Sequence, residues 1–194
     1  MIVLASKSAS RRAMLDQVGI EFDCDPADID ERALEAEMDD AGPEEVVQAL
    51  AAAKAAEVSS RRSDEVVLGS DSLVVVGERR FDKPLDRENA AEHLHFFSGK
   101  SMILHSAAAL ARGGKVEWVG HSEARLDVRA LSEDFIQSYL DAEWPAVSGC
   151  VGVFRIEARG PQLFERIIGD QFTVLGMPLL QVLAALRERG EILS

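Results

Sequence analysis

Residues 102–128, MILHSAAALARGGKVEWVGHSEARLDV, form the stretch of sequence that decides between the possible fold classes. Two runs with the character of long strands, 102–111 and 116–128, flank the sequence Arg-Gly-Gly-Lys at 112–115, which is typical of a hairpin. Strands joined by so short a connection run antiparallel, because a parallel pair needs a crossover of about a dozen or more residues. The hairpin therefore excludes an all-parallel sheet.

Outside this hairpin, short apolar runs alternate with stretches of helical periodicity. Strands are predicted at 2–5, 66–68, 73–76 and 163–168, and helices at 8–18, from 43 to beyond 54, and at 86–98, 132–140 and 177–186. Together with the hairpin, this alternation predicts an α/β fold with a mixed, twisted sheet flanked by helices. The chain has no internal repeat, linker or low-complexity tract, so residues 1–194 are predicted to form a single domain.

The chain is strongly acidic, since 34 Asp and Glu residues against 21 Lys and Arg residues give a formal net charge of −13. A surface of this charge repels phosphate backbones and anionic lipids, so we expect neither a nucleic-acid partner nor a membrane partner. The apolar runs are also far shorter than the roughly 20 residues of a membrane-spanning helix. Any anionic ligand must therefore be bound by a small local group of cations.

The start of the chain and its two cysteines indicate the compartment. The sequence MIVLASKSASRR places an apolar run before its basic residues, the reverse of the order in a signal peptide. Cys24 and Cys150 form no Cys-x-x-Cys pair, and a chain of 194 residues does not need a disulfide to be stable. We therefore expect reduced cysteines and a cytoplasmic location.

Residues 6–12, Ser-Lys-Ser-Ala-Ser-Arg-Arg, form the first candidate site, between the first predicted strand and the first predicted helix. A helix N-terminus presents unpaired N–H groups, and the serine hydroxyls together with Arg11 and Arg12 add donors suited to phosphate oxygens. The segment lacks the glycines of a P-loop. The alternative is that the serines cap the helix and the arginines are solvated.

The sequence Gly69-Ser70-Asp71-Ser72 is the second candidate site, because it separates two apolar, strand-like runs. A carboxylate at the end of a buried strand can serve as a general base or as an oxygen ligand of a divalent metal. The alternative is a turn in which Asp71 binds its own backbone.

Isolated charged and histidine residues give weaker signals. Lys54 lies in an alanine-rich helix and Lys83 precedes a proline, and the two could neutralise a polyphosphate or be ordinary surface lysines. The acidic run at 28–31 could supply a metal ligand or only favour the start of a helix. His105 and His121 have no companions in the sequence that resemble metal ligands, so no histidine metal site is expected.

Six short motifs, taken in their order along the chain, resemble those of the Maf family, whose members are nucleoside triphosphate pyrophosphatases historically named septum-formation inhibitors. The resemblance extends from Leu4 to about Leu186. The motifs are Leu4-Ala5-Ser6-x-Ser8-x-x-Arg11-Arg12, Ala53-Lys54-Ala55, Gly69-Ser70-Asp71, Lys83-Pro84, Phe97-Ser98-Gly99 and Gly176-Met177-Pro178-Leu179.

The resemblance implies a fold with two lobes around a cleft, similar to inosine-triphosphate pyrophosphatase, and often a homodimer. The implied reaction cleaves the bond between the α- and β-phosphates with the help of Mg²⁺ or Mn²⁺, giving a nucleoside monophosphate and pyrophosphate. Asp71 matches the catalytic aspartate, and Asp71 and Glu31 match acidic positions that bind metal. The positions that match phosphate-binding residues are Ser8, Arg11, Arg12, Lys54 and Lys83.

Three positions bear on the choice of base. Where relatives similar to dTTP/UTP pyrophosphatases carry an arginine, a threonine and a Tyr-Gly-Ile-Gln stretch, this chain has Ser10, Ser72 and the segment 152–157, which ends in Glu157. The segment 152–164 resembles the subgroup associated with 7-methyl-GTP, although that subgroup carries bulkier residues at the positions of Ser10 and Ser72. A glutamate suits this base, because its carboxylate accepts hydrogen bonds from guanine N1–H and the 2-amino group and favours the positive methylated ring.

Two alternatives stay open beside 7-methyl-GTP hydrolysis. The same chemistry could act on dTTP, UTP or CTP. The chain could also bind nucleotides without turnover, as a regulator of cell division.

Overall fold

The computed structural model describes residues 1–193, which contain seven strands, seven α-helices and two short 3-10 turns. The strands are β1 (Ile2–Leu4), β2 (Phe22–Cys24), β3 (Val67–Val76), β4 (Arg79–Phe81), β5 (Ser101–Arg112), β6 (Lys115–Val128) and β7 (Phe164–Ile168). The helices are α1 (Ala9–Gln17), α2 (Glu31–Glu37), α3 (Pro43–Arg61), α4 (Arg87–Phe97), α5 (Glu133–Glu143), α6 (Gln171–Leu175) and α7 (Leu179–Glu188).

The helices begin where side chains cap the free N–H groups of the first turn. Ser8, Asp86 and Ser132 each accept a hydrogen bond from the backbone N–H three residues later, at the starts of α1, α4 and α5. Helix α3 begins with Pro43, and the Glu45 carboxylate accepts from the N–H of Gly42 at 3.0 Å. The helix starts predicted from the sequence are confirmed at these four positions.

The sheet is mixed, as predicted. Its strands lie in the order β2-β1-β3-β5-β6-β7, and β4 pairs with β3 off this path. Strand β1 is parallel to both β2 and β3, whereas β4 and β7 are antiparallel to β3 and β6. Gly113 and Gly114 join β5 to β6 with positive φ angles of 56° and 78°, which confirms the hairpin.

Strand β3 corrects one sequence-based prediction. The sequence indicates two strands separated at residues 69–72, but the structure has one strand from Val67 to Val76. Gly69, at the predicted interruption, allows the backbones of two elements to approach closely. A Cβ at this position would lie 2.2 Å from the carbonyl oxygen of Ala51 and 2.6 Å from the nitrogen of Ala55. Gly69 therefore lets β3 lie directly against α3, and the alternative in which Asp71 occupies a turn is wrong.

Tertiary contacts divide the chain into two compact units, which we describe separately. Unit 1 comprises 1–72, 105–122 and the residues from Gln171 onward, and unit 2 comprises 73–104 and 123–170. In unit 1, side chains of β1, α1, β3, β5 and α7 share one apolar core that includes Leu4, Leu15, Leu68, Leu110 and Leu186, all of them buried. This core fixes the ends of β1 and β3 against α1.

Two further findings concern the helices and the cysteines. None of the helices within residues 1–193 has the length and the apolar character that a bilayer crossing requires. Cys24 and Cys150 are both free thiols, as predicted. Burial raises the pKa of Cys150, and Glu157 raises it further.

An aromatic cluster in unit 2 encloses a histidine. His93 is 8% exposed, and its ring meets the edge of Phe81 with 5.0 Å between centroids. Its Nδ1 atom has no hydrogen-bond partner among residues 1–193. Burial lowers the pKa of this imidazole, and Arg79 adds to the shift.

Protonation of His93 is expected to destabilise the protein in acid. Because the pKa is lowered in the folded state, the unfolded chain binds a proton at a pH where the folded chain does not. The free energy of unfolding therefore falls as the pH drops below about 6.5, the ordinary pKa of histidine. We expect His93→Phe to reduce this slope by at most about 1.4 kcal/mol per pH unit, measured by urea unfolding on either side of that pH. Equal slopes for the two proteins would contradict this.

Candidate active site

Asp71 lies in the interior of β3, where the strand passes α3. Its residue exposure is 9%, and its Oδ1 atom accepts a hydrogen bond of 2.7 Å from Lys54 Nζ. Side chains alternate between the two faces of a strand, so Asp71 points to the opposite face from Ser70 and Ser72. The carboxylate is therefore held by the backbone of a strand and not by the turn that the sequence left open for Asp71.

Lys54 joins two carboxylates. The lysine lies in the middle of α3 and is 8% exposed, and its Nζ atom lies 2.9 Å from Glu31 Oε1 as well as 2.7 Å from Asp71 Oδ1. Glu31 begins α2 immediately after the capping residue Asp30, and about half of its side chain is exposed. The ammonium of Lys54 therefore donates to Asp71 and forms an ion pair with Glu31, and its three N–H groups allow a further bond to an oxygen of a ligand.

Arg11 is a buried cation held by uncharged acceptors. Its Nε atom donates to the carbonyl oxygen of Gly176 at 3.0 Å, Nη1 to Ser6 Oγ at 3.2 Å and Nη2 to Ser72 Oγ at 2.9 Å. Burial lowers the pKa of this guanidinium, while the charges of Asp71 and Glu31 oppose the shift. Three of the five N–H donors are used in these bonds, so two remain for phosphate oxygens.

The carbonyl of Gly176 organises the residues on both sides of Asp71. It accepts from Ser72 Oγ at 3.0 Å in addition to Arg11, and Ser70 Oγ, whose shorter hydrogen bond of 2.8 Å goes to the carbonyl oxygen of Ala107, lies 3.3 Å away. Gly176 has a φ of 101°, and a Cβ there would lie 2.8 Å from Ser72 Oγ. The sequence analysis assigned no individual role to Ser70 or Gly176, although both lie in the motifs that resemble the Maf family.

Two of the three hydroxyl groups of the first candidate site, those of Ser6 and Ser8, are used within the protein. Ser8 Oγ accepts from the N–H of Arg11 at 3.4 Å, and the N–H of Ser8 donates to Ser6 Oγ at 3.2 Å. The capping role that the sequence gave as an alternative is therefore present at Ser8. Ser72, a candidate for base selection, uses its hydroxyl between Arg11 and Gly176.

Arg11 and Arg12 differ in their surroundings although they are neighbours in the sequence. Successive residues of a helix project in different directions, and while Arg11 is buried, Arg12 is exposed. The side chain of Arg12 makes no hydrogen bond or ion pair within the part of the chain described here, and its backbone N–H donates to the carbonyl oxygen of Ser8 at 3.2 Å. Ser10 is half-buried. The roles of Ser10 and Arg12 stay predictions.

Lys83 and Glu157 belong to unit 2, and both are exposed. The charges of both residues affect the pKa of the Cys150 thiol, which Glu157 raises and Lys83 lowers. These two residues therefore lie in one neighbourhood of unit 2. Their assignments to phosphate and base stay predictions from the resemblance.

The structure brings His105 and His121 together, a contact that the sequence did not predict. Their rings are stacked, with His105 Nδ1 3.2 Å from His121 Nε2, and Glu44 Oε1 lies 3.5 Å from His121 Nδ1. The pair connects adjacent strands β5 and β6, which the sequence spacing of 16 residues did not suggest. Within residues 1–193, no group of three or more His, Cys, Asp or Glu side chains is arranged to hold a metal ion.

The carboxylates of Asp71 and Glu31 fit a divalent cation that is shared with a phosphate ligand. Their oxygens lie within 2.7 and 2.9 Å of one ammonium nitrogen, so both can reach the same cation. Mg²⁺ is commonly bound by one or two carboxylates together with phosphate oxygens and water, so a third protein ligand is not required. Arg11, Lys54, Asp71 and Glu31 sum to zero charge, so a polyphosphate needs additional positive charge to bind here.

The comparisons with known proteins agree with the motifs. The profile of the Maf family, described as "Maf-like protein", matches residues 1–189. A protein of Rhizobium etli named 7-methyl-GTP pyrophosphatase is 45% identical over 98% of this chain and 97% of its own length. A protein of Mesorhizobium japonicum with the same name is 47% identical, with the same two coverages of 98% and 97%.

A dITP/XTP pyrophosphatase from Mycobacterium abscessus is similar over 67% of this chain and 74% of its own, with a TM-score of 0.42 and 18% identity. The match of the family profile and the two close relatives, each extending over nearly the whole chain, show that this protein belongs to the Maf family.

Proposed function

We propose that this protein is a nucleoside triphosphate pyrophosphatase that hydrolyses the α–β phosphate bond, with 7-methyl-GTP as its preferred substrate. The observation that carries the proposal is the group formed by Lys54, Asp71 and Glu31, with the buried cation Arg11 close enough to feel both carboxylates. The names of the relatives at 45% and 47% identity support the class of substrate and the base.

Arg11 binds and orients the phosphates in this proposal. Its guanidinium is fixed by Ser6, Ser72 and Gly176, so no reorganisation is needed when negative charge develops on the phosphate oxygens. The two free N–H groups can bind those oxygens, and charge-assisted hydrogen bonds of this kind are about twice as strong as neutral ones.

Asp71 accepts the proton of the attacking water. As the water oxygen bonds to phosphorus, the anhydride P–O bond breaks, pyrophosphate leaves and the proton moves to the Asp71 carboxylate. Lys54 keeps that carboxylate in place at 2.7 Å and offers its remaining N–H to a phosphate oxygen.

Asp71 and Glu31 would hold the divalent cation, Mg²⁺ or Mn²⁺. When bound, such a cation neutralises phosphate charge and lowers the pKa of a coordinated water. The positive charge of the cation is needed because Arg11, Lys54, Asp71 and Glu31 together carry no net charge, whereas a triphosphate brings several negative charges.

Glu157 is proposed to recognise the methylated base. The carboxylate is exposed, and it has no hydrogen-bond partner among residues 1–193, so its acceptors are free for guanine N1–H and the 2-amino group. Phosphate contacts by Lys83, Ser8 and Arg12 belong to the same proposal. The single domain, the homodimer, the cytoplasmic location and the lack of a nucleic-acid partner stay predictions from the sequence.

A nucleotide panel with and without metal tests the function. We expect pyrophosphate release from 7-methyl-GTP with Mg²⁺ or Mn²⁺, less from GTP and UTP, and none after chelation with EDTA. Glu157→Gln should lower kcat/KM for 7-methyl-GTP about 10- to 150-fold, because a hydrogen bond to a charged group contributes roughly 1.5–3 kcal/mol, and it should leave kcat/KM for UTP unchanged.

Other outcomes of this panel point to the open alternatives. Higher kcat/KM for UTP, dTTP or CTP than for 7-methyl-GTP would assign the protein to the other substrate group. Tight binding of triphosphates without hydrolysis under any divalent metal would indicate a regulator. Undiminished release in EDTA would contradict the role of the cation.

A further inference from the structure

The segment 150–160 of unit 2, which carries Glu157, contains a backbone conformation that its residue type disfavours. Val153 has a φ of 56° and is fully buried. It is the only non-glycine residue with positive φ in the described chain, 1–193. A β-branched residue in this region is a genuine outlier, and such strain persists only where the surrounding structure imposes it.

Two side chains of helix α5, one turn apart, contact the chain at and just after Val153. The hydroxyl of Tyr139 donates to the carbonyl oxygen of Val153 at 3.0 Å. The carboxylate of Glu143, which is 4% exposed, accepts from Arg155 Nε at 3.1 Å and from Arg155 Nη2 at 2.9 Å. We call these three side chains, Tyr139, Glu143 and Arg155, the α5 clamp.

The backbone of Arg155 continues directly into the turn that presents Glu157. Its carbonyl oxygen accepts from the N–H groups of Ala158 at 3.1 Å and Gly160 at 3.0 Å. A Cβ on Gly160 would lie 2.3 Å from the same oxygen, so only glycine permits this closure. Glu157 is therefore an exposed carboxylate on a turn whose base is fixed to α5.

We propose that the α5 clamp positions Glu157 and so sets discrimination between nucleobases, an inference that rests on the proposed function. In the Glu143–Arg155 ion pair the carboxylate is buried and the guanidinium is half-buried. Desolvation of the carboxylate offsets much of the attraction, so the pair is better explained by the conformation it specifies than by net stability. The three clamp residues do not touch the base in this proposal. They act through the direction in which the turn presents the Glu157 carboxylate.

The test measures kcat/KM for 7-methyl-GTP and for UTP in Tyr139→Phe, Glu143→Gln and Glu157→Gln. We define the ratio as kcat/KM for 7-methyl-GTP divided by kcat/KM for UTP. We expect Tyr139→Phe and Glu143→Gln to lower this ratio about five- to tenfold, mainly by raising KM for 7-methyl-GTP, with kcat for UTP unchanged. In the double variant Glu143→Gln/Glu157→Gln, the ratio should equal that of Glu157→Gln alone, because both changes act through the same carboxylate.

Hydrogen exchange and thermal melting separate positioning from a loss of folding. We expect faster amide exchange confined to residues 153–160 in Tyr139→Phe, a variant that removes one hydroxyl and keeps the ring. An unchanged ratio in folded Tyr139→Phe and Glu143→Gln, or an equal loss on both substrates, would overturn the inference. A wild-type protein that does not hydrolyse 7-methyl-GTP would overturn the proposed function instead, whereas the exchange measurement would still report on the clamp.

Discussion

Asp71→Asn is expected to reduce kcat for pyrophosphate release by about 10²- to 10⁴-fold, the usual contribution of a general base. The amide cannot accept the proton of the attacking water, but its oxygen can still accept the hydrogen bond from Lys54 Nζ. Since Lys54 also keeps its contact with Glu31 at 2.9 Å, we expect the variant to fold. A continuous assay of pyrophosphate release together with thermal melting measures both properties.

The matched control is Asp16→Asn, which makes the same chemical change in an exposed residue of α1 in the same unit. It should leave kcat and Tm unchanged. If Asp71→Asn keeps wild-type kcat while Asp16→Asn behaves as expected, Asp71 is not the base. Loss of folded Asp71→Asn would contradict the expectation that the hydrogen bond from Lys54 survives the substitution.

Lys54→Met is expected to have the second large effect, on both stability and activity. The substitution keeps much of the side-chain volume but removes the ammonium group that joins Asp71 to Glu31. Loss of hydrogen bonds to charged groups should lower the free energy of unfolding by about 1.5–3 kcal/mol. Loss of one positioned donor to the phosphate should lower kcat by about 10²- to 10³-fold. Urea unfolding and steady-state kinetics measure the two effects.

Arg61→Met is the control on the same helix. Arg61 lies at the end of α3 and pairs with Asp25 and Glu57, but its side chain is 38% exposed. Exposed ion pairs of this kind contribute little to stability, so we expect a small change in the free energy of unfolding and none in kcat. Equal losses in Lys54→Met and Arg61→Met would show that the charge of α3, and not the position of Lys54, is what matters.

The local elements of the fold could be predicted because their signals are local. Ser8, Asp86 and Ser132 cap helices that begin with the next residue, and Gly113-Gly114 joins two strands within one hairpin. The sequence identified Asp71 as a candidate site residue, but it did not predict that Asp71 lies inside a strand. Gly69 indicates an interruption when it is considered alone, whereas its contact with Ala51 and Ala55 of α3 shows a close approach between two elements.

The candidate site depends on contacts over long sequence separations. Arg11 and Arg12 are equivalent in the sequence, but only Arg11 meets Ser72 and Gly176, which lie 61 and 165 residues further along. The separation of 16 residues between His105 and His121 does not indicate that their side chains meet. Their rings stack because β5 and β6 are adjacent in the sheet. Sequence periodicity predicts which face of a helix or strand is buried, but it does not predict which side chains of other elements pack against that face.

The sequence by itself determined the mixed sheet, the family motifs and a net charge of −13 that leaves room only for a small cationic site. These properties follow from local periodicity, composition and the order of short motifs. Only the tertiary structure decided which of the candidate cations are buried: Arg11 and Lys54 are buried near Asp71, whereas Arg12 is exposed. The physical reason is that burial and pairing of a charge depend on acceptors from distant segments, which come together only when β3, α3 and the turn at Gly176 pack.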